Sequence, residues 1–68
     1  MEFWRKVAGV AEPLINTTDK FYTKMMCDGD LYELVYEIRR LNIVSVCTTL
    51  TIKAISVEVE TFNRIVTN

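Results

Sequence analysis

The side chains of this chain that could do chemistry are few, and most gather in the middle of the sequence. Cys27 and Cys47 are the two thiols. Asp28, Asp30, Glu33 and Glu37 form an acidic block, followed at once by Arg39 and Arg40. Ser45, Thr48, Thr49 and Thr51 bring hydroxyls into an otherwise apolar stretch. There is no histidine, so the usual general base near neutral pH and the usual transition-metal ligand are both missing. Two cysteines make neither a disulfide-dense scaffold nor a four-cysteine zinc site. No Gly-rich phosphate loop, nucleophile elbow or zinc-finger spacing occurs. The expectation is a protein that is not an enzyme, uses no cofactor or metal ion, and works by binding.

Each cluster has a plain reading beside a sharper one. On a helical reading the two thiols lie roughly 25 Å apart along the rise, beyond disulfide reach. They read as small buried hydrophobes. The carboxylates suit the dipole at a helix N-terminus; a divalent-cation site is the sharper reading, but calcium-loop spacing is lacking. Arginine is well shaped for phosphate. Arg39, Arg40, Tyr36 and Thr48 therefore form one candidate set, lining pockets between subunits that hold a small anionic ligand such as a nucleotide.

The elements that position these groups are read from hydrophobic spacing. Trp4, Val7, Ala11, Leu14, Thr18, Phe21 and Met25 follow steps of three and four, the period of a core-facing helix. Pro13 interrupts them and predicts either a kink near Glu12 or a second helix beginning at Pro13. Cys27-Asp28-Gly29-Asp30 is the clearest turn: Gly29 closes one helix and Asp30, with Glu33 three residues on, caps the next. Leu31, Leu34, Ile38, Leu41, Ser45, Thr48, Ile52, Ile55, Val59, Phe62 and Val66 then continue the same alternation. The Val, Ile and Thr content between Ile43 and Val59 favours strands. Against that, no Gly, Pro, Asn or Asp lies between Ile43 and Thr61 to turn a hairpin.

The predicted fold is all-α: residues 1–68 form one small helical domain, a hairpin. A short or kinked N-terminal helix, a turn at Asp28-Gly29 and a long C-terminal helix assemble into an oligomeric bundle. The alternative is an α+β fold with strands after Asn42. Val35, Val44, Val46, Leu50, Ala54 and Val57 fall off the main stripe and need a second surface, so a homo-oligomer is expected. A chain of 68 residues buries only roughly 60% of its unfolded surface alone, which points the same way.

In that hairpin the end of the long arm overhangs its partner. Phe62, Ile65, Val66 and Trp4 become the candidate partner-binding residues. The leading functional expectation is a protein-binding inhibitor or adaptor, by analogy with small phage, viral and accessory factors. Sequestering a small anionic ligand and serving as a structural assembly component are the alternatives. Net charge is −1, which gives no field for nucleic acid. The stretch from Leu41 to Val57 is too short and too hydroxylated for a membrane span. The N-terminus lacks the layout of a secretory signal, so an intracellular, reducing, cytoplasmic setting is expected.

Overall fold

The computed structural model describes residues 2–46 and 54–67. Their order is α1 (Glu2–Ile15), β1 (Lys20–Cys27), β2 (Asp30–Glu37), β3 (Arg40–Ser45), β4 (Ala54–Glu58) and α2 (Val59–Thr67). The fold is α+β. The all-α hairpin, its long C-terminal helix and the helical bundle built from it are therefore corrected. The alternative, an α+β fold with strands after Asn42, has the right class, and β4 lies after that residue, but β1 and β2 lie wholly before it.

The four strands form an antiparallel meander in the order β1-β2-β3-β4. Strand periodicity is clearest in the buried set. Phe21, Thr23, Met25 and Cys27 of β1 lie on one face, in register with Tyr36, Leu34, Tyr32 and Asp30 of β2. Leu41, Ile43 and Ser45 of β3 continue that face, and Val57 and Ile55 of β4 extend it. Both helices cover it. Val7 and Ala11 of α1 and Val59 and Phe62 of α2 join Leu34, Leu41 and Ile43 in the core. Phe3 packs edge-on against Trp4 and Tyr32, with ring centroids 5.3 and 5.2 Å apart, and Trp4 reaches Phe62 at 6.3 Å.

Pro13 does not start a new helix; it lies inside α1, in its last turn. The hydrogen bond it forfeits is the one to the Gly9 carbonyl. Gly9 and Pro13 are both exposed, so water can satisfy that carbonyl. The Thr17 hydroxyl then donates to the Pro13 carbonyl at 3.0 Å and helps close the helix.

Asp28-Gly29 does turn the chain, but between strands. Cys27 pairs with Asp30, leaving a two-residue loop with φ of 52° at Asp28 and 83° at Gly29. Positive φ at both positions marks the type I′ hairpin turn that Asp-Gly favours, because its twist matches that of the strands. The β2–β3 turn uses the same geometry with the wrong residue types. Glu37 pairs with Arg40, and Ile38 and Arg39 between them have φ of 53° and 60°. A β-branched residue there is a true outlier, costing about 1–2 kcal/mol by the clash of Cβ with the carbonyl. β3 ends at Ser45 and β4 begins at Ala54, so eight residues of sequence separate that pair.

Candidate functional site

The strained turn forms one wall of a cleft of about 870 Å³. Four stretches of chain meet there. The last turn of α1 contributes Glu12 and Ile15, and the α1–β1 loop with the first residue of β1 contributes Asp19 and Lys20. Tyr36, Ile38 and Arg39 come from the β2–β3 hairpin, and Val59 and Asn63 from α2.

Local hydrogen bonds hold these walls. Thr17 and Thr18 donate their amides to the Leu14 carbonyl at 3.2 and 3.1 Å. The Thr18 hydroxyl donates to the Lys20 carbonyl at 2.8 Å and accepts from the Lys20 amide at 3.3 Å. Across the cleft, the Val59 amide donates to the Arg39 carbonyl at 2.9 Å. That bond ties the first residue of α2 to the strained turn and helps keep Arg39 in its left-handed conformation. Such strain persists only where the surroundings over-determine it. The floor is aromatic: Tyr36 is buried and stacks on Phe21 at 5.2 Å with planes 21° apart.

The cleft is of mixed charge. Lys20 and Arg39 supply the cations, and Glu12, Asp19 and Glu37 the carboxylates. An anionic group can seat against the cations, while donor groups on the same molecule can be received by the carboxylates and by Asn63.

The candidate residues scatter. Arg39 and Tyr36 meet in the cleft. Arg40 does not: its guanidinium lies 3.0 Å from the Ser56 hydroxyl oxygen, to which it donates, and 3.6 Å from the Glu58 carboxylate. Thr48 lies outside the described residues, as do Cys47, Thr49 and Thr51. Of the partner-binding set, Phe62 is fully buried, and Trp4 and Val66 are partly buried against the core. Ile65 is exposed at 37%. Lys20, Glu12 and Asp19 were not singled out by sequence reasoning. Their proximity to Arg39 is a product of the sheet, and no spacing rule joins them.

The acidic block is dispersed by strand geometry. Asp28 lies in the hairpin turn and Asp30 on the helix-covered face, while Glu33 and Glu37 lie on the opposite face. Among the described residues, no three Asp, Glu, Cys or His side chains gather as metal ligands would. Among the described residues, no helix is long and apolar enough to cross a membrane.

Cys27 is 2% exposed. Burial pushes its thiol pKa up, and the neighbouring Asp28 carboxylate adds to the effect, partly opposed by Lys6. The thiolate is the reactive form. Cys27 is therefore expected to resist iodoacetamide at pH 8 in the folded protein and to alkylate readily in urea, as read by peptide mass mapping. Equal rates in both states would show that the thiol is accessible.

No protein-family model, curated protein or solved structure matches this chain. The functional reading therefore rests on geometry and chemistry alone.

Proposed function

We propose that this protein is a non-enzymatic binding protein that holds a small anionic ligand, of nucleotide type, in the cleft beside the β2–β3 turn. The anionic group seats on Arg39. Hydroxyl or amino groups of the ligand donate to Glu12 or Asp19, and its flat apolar part lies near Tyr36 and Ile15. The pocket belongs to a single chain, unlike the inter-subunit pocket expected from a bundle.

The observation that carries this reading is the backbone at Ile38-Arg39. Asn-Gly would fill that turn without strain, yet the chain keeps an isoleucine that is 90% exposed and an arginine on the cleft wall. Local strain of this kind clusters at ligand clamps, where it pre-organises a contact. The inhibitor or adaptor reading has weaker support, since three of its four anchor residues pack into or against the core.

The test is titration calorimetry with nucleoside mono- and diphosphates, and with inorganic phosphate alone. Wild type is expected to bind a nucleotide more tightly than phosphate. Arg39→Ala should weaken binding by about 10- to 100-fold, the worth of a charge-assisted hydrogen bond of about 1.5–3 kcal/mol. Absence of binding at millimolar nucleotide, or an Arg39→Ala variant that binds unchanged, would sink the proposal.

A further inference from the structure

The helices cover one face of the sheet, and among the described residues nothing packs on the other. That open face has an ordered pattern. Lys20, Glu37, Arg40 and Glu58 are consecutive partners across β1, β2, β3 and β4. They form one straight row, perpendicular to the strands, with signs plus, minus, plus, minus. The next row is Tyr22, Val35, Asn42 and Ser56, and the one after it Lys24, Glu33, Val44 and Ala54. Met26 pairs with Leu31 at the far end. Tyr22 and Met26 are each 57% exposed; Leu31, Val35 and Val44 are half-buried. The Tyr22 hydroxyl donates to the Glu33 carboxylate at 2.6 Å, which satisfies one of its oxygens. In all, the face holds three cations and three carboxylates around an apolar middle.

We infer that this face is the interface of a homodimer, with a second copy of the chain stacked on it about a twofold axis that runs along the strands between β2 and β3. Charge complementarity selects both the occupant and the axis. A twofold along the strands reverses the order of the strands and leaves each row opposite itself. An alternating row of four charges, read backwards, is its own complement. Lys20 then faces Glu58 of the second copy, and Glu37 faces Arg40, so all four contacts in the row join opposite signs. Moving the axis onto β2 sets Glu37 against Glu37 and Lys20 against Arg40. Moving it onto β3 sets Arg40 against Arg40. Like charges at an interface suppress the wrong arrangement. The geometry also suits sheet packing, because aligned sheets stack about 10 Å apart with strands crossing near −30°. The interface is isologous, as a closed dimer requires. Val35, Val44, Leu31 and Tyr22 supply the burial, and the charged row sets the register.

The test is sedimentation equilibrium of the full chain, with circular dichroism to confirm folding. Wild type is expected at twice the 7.9 kDa chain mass. Arg40→Glu and Glu37→Arg each place like charges opposite one another twice, so each variant alone is expected to be monomeric. An equimolar mixture of the two restores every opposite-sign contact and is expected to return to the dimer mass. A variant that merely failed to fold could not be rescued by mixing. A wild type that stays monomeric, which would leave the face to a foreign partner, overturns the inference. So do variants that remain dimeric alone, a mixture that stays monomeric, and growth beyond the dimer.

Discussion

Replacing Phe62 with alanine is expected to leave much of the protein unfolded at 25 °C. Phe62 is fully buried and reaches Trp4 at 6.3 Å, so it fastens α2 to α1 across the sheet. Helix α2 has nine residues, too few to hold a helix in water without tertiary packing. Phe→Ala in a core costs about 3–5 kcal/mol. At about 0.05–0.15 kcal/mol per residue, a chain of 68 residues has a total stability of the same order. Trp4 is the single tryptophan and sits beside the substitution, so its fluorescence reports the urea midpoint directly. Ile65, on the exposed side of the same helix, serves as the control: Ile65→Ala should change stability by no more than about 0.5 kcal/mol. A Phe62→Ala cost that small would mean that Phe62 is a surface anchor and that α2 is misplaced.

The second large effect has the opposite sign. Rebuilding the β2–β3 turn as Ile38→Asn with Arg39→Gly is expected to stabilise the fold by about 1–3.5 kcal/mol. Relieving left-handed φ at two ordinary residues recovers about 1–2 kcal/mol each. Glycine returns about 0.4–1 kcal/mol of that through the greater freedom of the unfolded chain. For a domain of this size each kcal/mol raises Tm by about 4–8 °C. The same double variant removes the Arg39 guanidinium from the cleft and should lose nucleotide binding. Ile38→Asn alone separates the two effects, since it relieves strain while keeping the arginine. Stability gained where binding is lost is the trade expected of a site held under strain. A double variant with unchanged or lower Tm would show that the turn carries no strain, and would remove the main support for the cleft as a binding site.

Particular residues give these strands a spacing that also fits a helix. The alternation Leu31, Leu34, Ile38, Leu41, Ser45 satisfies steps of three and four. In the structure Leu31 lies on the open face, Leu34, Leu41 and Ser45 on the covered face, and Ile38 in a turn. A strand whose two faces both carry apolar residues has no clean period of two, and its residues then fit a helical template by coincidence. The Asp28-Gly29 turn was visible, but two-residue Asp-Gly loops close hairpins as readily as glycine closes helices. At Ile38-Arg39 no turn-forming residue marks the reversal, so the periodic series ran through it unbroken.

Part of the candidate site was legible. Arg39 and Tyr36 were named from their types, and both line the cleft. Adjacent Arg40 was read with Arg39, but neighbours in a chain need not share a face. The turn directs Arg39 into the cleft, and the first strand position after it directs Arg40 to the open side, against Glu58.

Residue inventory alone determined that imidazole and multi-thiol chemistry are beyond this chain, that a helix with its apolar side on Trp4, Val7 and Ala11 begins it, and that the backbone reverses at Asp28-Gly29. These are local matters, set by side-chain type and by φ at single positions. Only the tertiary structure decided that residues 20–45 and 54–58 build a paired sheet, because burial on a sheet depends on which strands and helices meet rather than on spacing within one. It also decided the turn at Ile38-Arg39, where the twist of two paired strands and the Val59 amide impose a backbone that neither residue prefers. The cleft exists for the same reason: its walls come from four stretches of chain, and only packing brings them within reach of one ligand.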